Sequence, residues 1–136
     1  MREIKFKIFD KKNKKILEID TLFINEGMFK PVGDDEYSVW NYDTEYYSKP
    51  MQYTGLKIKD KEIYEGDIIK ARNDYSYKVV FENGSFVLYH LNKYADVDMV
   101  RWGLLGRLFD SDMKDILDKC EVIGNIYENP ELLQGI

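Results

Sequence analysis

The chain has 136 residues and a mass of 16.2 kDa, which is the size of a single domain. Its composition is 44% hydrophobic and 33% charged, with three Pro and nine Gly, which excludes collagen-like, disordered and membrane-spanning classes. One Cys and one His can form neither an intrachain disulfide nor a Cys/His zinc site. We therefore expect no cofactor and no bound metal.

Several features predict a cytoplasmic protein. The first residues alternate apolar and charged side chains and lack the apolar run of a signal peptide. The longest apolar runs are far shorter than a bilayer span, and a lone cysteine suits a reducing compartment. We expect neither secretion nor association with a membrane.

The net charge of −5 is distributed unevenly along the chain. Of the 20 Lys and Arg and 25 Asp and Glu, residues 1–15 hold seven and two, which leaves 13 bases and 23 acids elsewhere. The lysines concentrate at Lys11, Lys12, Lys14 and Lys15. Such a cluster is typical of a solvated hairpin turn, which is the simpler interpretation, and it is also typical of a nucleic-acid contact.

The first predicted element is a hairpin over residues 4–19. Residues 3–9 alternate apolar and charged side chains, which is the period of a strand with one buried face. Residues 10–15 contain no apolar side chain and are the predicted turn. A separate third strand is predicted over Thr21–Ile24. The side chains expected to be buried on the first strand are Ile4, Phe6 and Ile8.

Residues 28–53 follow neither a helical nor a strand period, but they are rich in aromatic side chains. Such rings form protein interfaces, stack on nucleic-acid bases or cover the edge of a small core. A loop and a short strand covering the core is the simplest interpretation, because acids such as Asp43 and Glu45 would repel a phosphate backbone. As a binding surface, the candidate residues are Trp40, Tyr42, Tyr46 and Tyr47.

Short strands and tight turns are predicted after residue 50. Met51–Thr54 is expected to be a short strand that ends in a turn at Gly55. Gly66 is expected to adopt a positive φ before a strand at Ile68–Ala71.

The strongest local signal is Asn83-Gly84 between two β-rich runs. This pair favours a two-residue type I′ turn, whose twist matches that of the flanking strands. Counting outward from the turn pairs Phe81 with Phe86 and Tyr77 with His90. One face of this hairpin is expected to belong to the core, and it consists of Tyr77, Val79, Phe81, Phe86, Leu88 and His90.

A single short helix is predicted over residues 111–120. Its apolar residues are spaced i, i+3, i+4 and i+7, which is the stripe of an amphipathic helix. Cys120 ends this stripe and is expected to be a small core residue and not a nucleophile. Val122–Tyr127 is the last predicted strand, and a terminal turn begins at Asn129.

The sequence does not support catalysis. It contains no G-x-S-x-G, Walker A or G-x-G-x-x-G pattern. His90 is the only histidine, and its place in the hairpin predicts a structural imidazole. We therefore expect a protein that is not an enzyme.

Three separated motifs carry a family pattern. They are Met51–Lys57 (MQYTGLK), Lys61–Ile69 (KEIYEGDII) and Val122–Leu133 (VIGNIYENPELL). Together with the opening MREIKF and the hairpin VFENG, they resemble the YopX family of phage and prophage proteins. That family often has an Asn-Gly turn before the second motif, whereas Ile58–Lys61 lacks this glycine, so the conformation of that turn is open.

The resemblance implies a cytoplasmic phage or prophage accessory protein of uncharacterised function, with no established catalytic residues. Its second motif and the following hairpin also look like the opening strands of a small SH3-like barrel. The expected fold is mainly β (α+β), with an N-terminal β-hairpin or meander, an SH3-like β-barrel and the helix at about 111–120. We expect one compact domain over residues 1–136. The alternative is a division into an N-terminal β subdomain, residues 1–50, and an SH3-like barrel, residues 51–136.

Two functions remain open from the sequence. The first is a non-catalytic module that binds a host or phage protein through exposed aromatic residues. The alternative is a nucleic-acid-binding protein that uses the basic turn at residues 11–15 and aromatic rings. An acidic chain with a pI near 5.0 favours the first, because positive charge dominates affinity for phosphates. A homo-oligomer is compatible with either function.

Overall fold

The computed structural model describes residues 3–33, 38–71, 76–91, 99–101 and 119–134. Within these ranges the chain forms strands and one short 3₁₀ helix, Pro130–Gln134. The strands are β1 (Phe6–Asp10), β2 (Lys15–Phe23), β3 (Met28–Pro31), β4 (Trp40–Asn41), β5 (Met51–Ile58), β6 (Lys61–Tyr64), β7 (Asp67–Lys70), β8 (Ser76–Glu82), β9 (Ser85–His90), β10 (Met99–Arg101) and β11 (Glu121–Asn125). The helix predicted over residues 111–120 lies, except for its last two residues, outside the described part.

The strands pair in two antiparallel sheets, with the orders β4-β3-β2-β1-β5-β6 and β10-β9-β8-β7-β11. A mainly β fold is therefore confirmed, and within the described residues neither sheet closes into a barrel. Backbone proximity divides the chain into unit 1, Met1–Tyr53, and unit 2, Thr54–Ile136.

Unit 1 begins with the predicted hairpin. β1 pairs with β2 up to Asp10↔Lys15, so the turn lies at residues 11–14. Ile8 is fully buried and Phe9 is 5% exposed, which makes this part of β1 the centre of the packing in unit 1. Ile4 is 71% exposed because it precedes the first residue of β1, so its expected burial is wrong.

The separate third strand predicted after Asp20 is also wrong. β2 continues to Phe23, and its register against β3 shifts between Ile19 and Thr21. Asp20 is the extra residue of this β-bulge, and its carboxylate lies 3.6 Å from the Nζ of Lys30. A single bulged strand therefore replaces the two strands predicted on either side of Asp20.

β5 runs through Gly55, where a tight turn was predicted. Gly55 has a φ of 88°, and a glycine inside a strand typically marks a bulge or bend. Thr54 Oγ1 donates a hydrogen bond to the Ile63 carbonyl at 2.9 Å and accepts one from the Leu56 N–H at 3.2 Å. The chain stays extended here because β5 pairs with a neighbouring strand both before and after the glycine.

The turn between β5 and β6 adopts a left-handed conformation without any glycine. Lys59 has a φ of 50° and Asp60 a φ of 67°, and a type I′ turn requires positive φ at both positions. For a residue with a side chain, this conformation costs roughly 1–2 kcal/mol. The sequence left the conformation of this turn open. The structure gives it the positive φ values of a type I′ turn without glycine, at an energetic cost.

The β8–β9 hairpin confirms the predicted turn and the predicted register. Asn83 and Gly84 have φ values of 52° and 82°, as the type I′ turn requires. The strands pair in the predicted register, from the turn out to Tyr77↔His90. Gly66, at the turn before β7, has the expected positive φ of 90°.

The core of unit 2 gathers residues from β5 to β9 and from the segment before β11. Its buried members are Ile58, Ile63, Ile69, Tyr77, Val79, Phe86, Leu88 and Cys120. Cys120 is 7% exposed, which confirms its assignment to the core. Burial raises the pKa of the Cys120 thiol, although Lys59 acts in the opposite direction, so the group is a poor nucleophile at neutral pH.

Two residues of the hairpin differ from the predicted burial. Phe81 is 41% exposed, although its expected place was the core, and its ring meets that of Phe86 edge-on with centroids 5.0 Å apart. Val87 points to the opposite face and is nevertheless only 3% exposed. Phe86, directly opposite Phe81 and equally far from the turn, is 8% exposed, so the register alone did not decide which of the two rings is covered.

Two asparagines organise the turn after β11. The side-chain oxygen of Asn125 accepts hydrogen bonds from the N–H groups of Tyr127 (3.0 Å) and Glu128 (2.8 Å). The side-chain oxygen of Asn129 accepts one from the Asn125 N–H at 3.2 Å. The Asn129 side chain therefore lies directly against Gly124, where a Cβ atom would be 2.7 Å from the Asn129 Cγ.

Candidate functional site

The candidate lysines and aromatic residues come together in unit 1. The N–H of Lys11 donates to the carbonyl of Tyr46 and its Nζ donates to the carbonyl of Thr44, both at 2.8 Å. A backbone bridge also pairs Asp10 with Tyr47. These contacts join residues 11–15, which we call the basic turn, to residues 42–48, which we call the aromatic loop.

The aromatic loop is held by its own hydrogen bonds. The Thr44 hydroxyl accepts the N–H groups of Tyr46 (3.1 Å) and Tyr47 (3.2 Å), and the Thr44 N–H donates to the Tyr47 carbonyl at 2.9 Å. The Asp43 N–H donates to the Ser48 carbonyl at 3.2 Å. The backbone that carries the rings is therefore fixed before any partner arrives.

Ser48 anchors the end of the aromatic loop to β1. Its side chain is 2% exposed, and its hydroxyl accepts the Phe9 N–H at 2.9 Å while donating to the Lys49 carbonyl at 2.9 Å. The Ser48 N–H donates in turn to the Phe9 carbonyl at 3.0 Å. The hydroxyl and the N–H of Ser48 therefore both have hydrogen-bond partners, which is usual for buried polar groups.

The four candidate rings fall into two classes. Trp40 is 45% exposed and Tyr46 is 54% exposed. Tyr47 is half-buried, and its ring packs edge-on against the buried Phe29 at 5.0 Å and lies 6.4 Å from Trp40. Tyr42 is also half-buried and its hydroxyl donates to a backbone carbonyl at 3.3 Å. Trp40 and Tyr46 present surface, while Tyr47 and Tyr42 support it.

The four candidate lysines also divide. Lys11 is half-buried, and its ammonium is bonded to the aromatic loop. Lys12, Lys14 and Lys15 are exposed, and none of them forms an ion pair with a carboxylate in the part of the chain that is described. Lys14 has a φ of 57°, so its backbone is left-handed at the end of the turn. Three of the four charges are therefore available to an external anion.

Asp10 shapes the basic turn from inside. Its side chain is 5% exposed; Oδ1 accepts the N–H groups of Lys12 (3.1 Å) and Asn13 (3.0 Å), and Oδ2 accepts the Asn13 side-chain N–H at 2.8 Å. Burial alone would raise the pKa of Asp10. The hydrogen bonds from Asn13 and Lys12, together with the charge of Lys15, outweigh burial and hold this pKa below its ordinary 3.8.

We expect acid to loosen the basic turn. Because the pKa of Asp10 is lower in the folded chain than in the unfolded chain, its carboxylate favours folding above pH 4 or so, and this contribution is lost as the pH falls towards the folded pKa. Asp10→Asn should lower the free energy of unfolding by about 1–2 kcal/mol at pH 7 and by less at pH 3. Urea denaturation of both proteins at the two pH values measures the difference.

Asp20→Asn is the control for this change. The Asp20 carboxylate is 56% exposed, and its ion pair with Lys30 lies at the surface. Its effect should stay within about 0.5 kcal/mol at either pH. An Asp10→Asn protein with the same stability and pH dependence as the parent would contradict the role assigned to this carboxylate.

The sequence pointed to the rings and lysines but not to the residues that position them. Thr44, Ser48 and Phe29 were missed. For Thr44 a signal existed, because threonine at the start of a loop commonly accepts backbone N–H groups two or three residues later. Phe29 and Ser48 carry no comparable local signal, since their contacts are 18 and 39 residues away in the chain.

Neither a cluster of metal-ligating side chains nor a membrane-spanning helix is found in the described residues. Across these ranges, no three His, Cys, Asp or Glu side chains converge as a metal site requires. No helix within them is both long and apolar enough to cross a bilayer.

Comparison with known proteins identifies the family. The family model described as "YopX protein" matches residues 5–134, which include the basic turn, the aromatic loop and all three motifs. The chain belongs to the YopX family. This YopX chain is also similar to the crystal structure of protein EF1440 from Enterococcus faecalis, with 26% sequence identity and a TM-score of 0.61. The match covers 98% of this chain and 99% of that one. A search of curated proteins gives no match.

Proposed function

We propose that this YopX protein is a non-catalytic module that binds another protein through Trp40 and Tyr46. The observation that carries the proposal is the exposure of these two rings, 45% and 54%, beside a loop fixed by hydrogen bonds. Tyr and Trp are enriched in protein interfaces and dominate their binding energy. A backbone already in one conformation loses little entropy on binding, which favours affinity.

The proposal extends to origin and setting. The resemblance of the three motifs to phage and prophage proteins supports an accessory protein made in the cytoplasm of a bacterial host, with a host or phage protein as its partner. The succession of short strands and tight turns from β5 to β9, in the described residues, supports a relation to SH3-like barrels at the level of fold alone.

Catalysis is not part of the proposed function. His90, the one histidine, packs against Tyr77 in the β8–β9 hairpin with ring centroids 4.5 Å apart and the rings tilted by 55°, which suits a structural imidazole. Cys120 lies in the core with a raised thiol pKa. The burial of Cys120 and the packing of the half-buried His90 support a non-catalytic function.

Affinity capture from bacteria that carry a phage or prophage encoding a YopX protein tests the proposal. The parent protein is expected to retain a stoichiometric partner, and Trp40→Ala with Tyr46→Ser should weaken the purified complex at least tenfold, measured by calorimetry. Ile4→Ser is the matched control, because Ile4 is an apolar side chain of unit 1 with 71% exposure outside the aromatic loop. Equal affinity of the double variant and the control would contradict the proposal.

A second candidate function is nucleic-acid binding. The observation that favours it is the attachment of the basic turn to the aromatic loop through Lys11, which joins exposed lysines to an exposed tyrosine ring. Single-stranded nucleic acids are bound by such combinations of charge and stacking. The net charge of −5 weighs against it, because a polyanion is repelled by the rest of the chain.

A further inference from the structure

We infer that the partner presents an acidic segment, whose carboxylates pair with Lys12, Lys14 and Lys15 while its apolar side chains contact Trp40 and Tyr46. This inference rests on the proposed function and specifies the chemistry of its partner.

The first support is the continuity of the charged and aromatic surfaces. Lys11 donates from its backbone and from its ammonium to the aromatic loop, so the lysines that follow it begin directly beside Tyr46. The bridge between Asp10 and Tyr47 repeats this attachment at the start of the turn. A single extended segment can therefore touch both features.

The second support is the state of the charges. Lys12, Lys14 and Lys15 are exposed and form no ion pair in the described ranges. Asp10, the acid at the start of the turn, is engaged by the N–H groups of the turn and by the charge of Lys15, but it forms no ion pair with these lysines in the described ranges. The aromatic loop contributes two exposed acids, Asp43 and Glu45, which limit how much negative charge this surface attracts.

The third support is the contrast with the rest of the chain. Residues 1–15 hold seven bases and two acids, whereas the remainder holds 13 bases and 23 acids. An acidic segment is attracted by the basic turn and repelled elsewhere, which restricts it to one site. A long nucleic acid extends past three lysines and meets that repulsion, whereas a short acidic peptide does not.

The three lysines are expected to make a modest contribution to the affinity for the partner. An exposed ion pair contributes a small amount of affinity that falls with salt, so three pairs together should change the dissociation constant about tenfold at low salt. The aromatic contacts should be independent of salt.

Defined probes test the inference. They are fluorescein-labelled ten-residue peptides in which Leu alternates with Glu, Gln or Lys, and an oligo-dT of ten nucleotides, with binding read by fluorescence anisotropy at low and high salt. The Glu peptide should bind about tenfold more tightly than the Gln peptide at low salt, and the difference should vanish at high salt.

Lys12→Gln, Lys14→Gln and Lys15→Gln combined should abolish this preference. The matched control replaces three other exposed lysines, Lys57, Lys61 and Lys119, by Gln and should keep the preference for the Glu peptide.

A Glu peptide that binds no better than the Gln peptide, or not at all up to about 1 mM, overturns the inference. Tighter binding of oligo-dT overturns it in favour of nucleic acid. A dimer in sedimentation that dissociates in the turn variant overturns it in favour of a second copy of the chain.

The two proposals fail separately. If the captured partner depends on Trp40 and Tyr46 but not on the three lysines, the acidic segment is wrong and the protein-binding function stands. If the partner depends on neither set, the proposed function itself is wrong.

Discussion

Phe86→Ala is expected to lower the free energy of unfolding by about 3–5 kcal/mol, the usual effect of removing a buried phenylalanine ring. Phe86 is 8% exposed and belongs to the core cluster of unit 2 with Ile63, Leu88 and Cys120. The loss combines the transfer of the ring out of the core with the cavity left among these neighbours. Because a domain's total stability is typically about 5–15 kcal/mol, the variant loses a large fraction of it.

Phe81→Ala is the matched control. Phe81 lies directly opposite Phe86 across the hairpin and carries the same ring, but it is 41% exposed. Its replacement should cost only about 1–2 kcal/mol, because much of the ring stays in water in the folded chain. Urea denaturation followed by circular dichroism at pH 7 measures both, and Phe86→Leu keeps the comparison measurable if the alanine variant is unfolded at the outset. Equal losses for Phe81→Ala and Phe86→Ala would contradict the burial described for this hairpin.

Gly124→Ala is expected to destabilise the protein by about 2–3 kcal/mol through overpacking. The new Cβ would lie 2.7 Å from the Cγ of Asn129 and 3.1 Å from its Cβ. Asn129 cannot move aside without cost, because its side-chain oxygen accepts the N–H of Asn125 at 3.2 Å. Either the strand or the terminal turn must shift.

A double-mutant cycle separates this clash from other effects of the substitution. In an Asn129→Ala background the nearest atoms are gone, so Gly124→Ala should cost less than about 1 kcal/mol. The coupling between the two positions is read from thermal or urea unfolding of the four proteins. Additive losses would show that the close approach of Asn129 is not the reason for glycine at position 124.

Local chemistry explains which parts of the fold could be predicted from the sequence. Asn83-Gly84 determined a turn type, and the turn type determined the whole register of β8 and β9, because both follow from adjacent residues. The predictions around Asp20 and Gly55 were wrong because pairing with neighbouring strands outweighs the local signal. β2 continues through a bulge at Asp20 while it pairs with β3, and β5 continues through Gly55 while it pairs with β1 and β6.

The candidate site could be predicted in composition but not in geometry. Tyr46 and Tyr47 are adjacent and chemically identical, and only the packing of Tyr47 on Phe29 separates a supporting ring from an exposed one. Lys11 likewise looked equivalent to the lysines that follow it, until its two hydrogen bonds to the aromatic loop showed a structural role. Such differences depend on contacts between distant segments, which spacing along the chain does not encode.

The left-handed pair Lys59 and Asp60 has a consequence for how unit 2 assembles. An isolated two-stranded hairpin is at best marginally stable in water, and two non-glycine residues at positive φ make this one less stable still. Its formation therefore depends on Ile58 and Ile63, which flank the turn and lie at 2% and 0% exposure in the core cluster. The β5–β6 hairpin is therefore not expected to nucleate folding on its own. We expect it to form only when the apolar side chains of the core pack together.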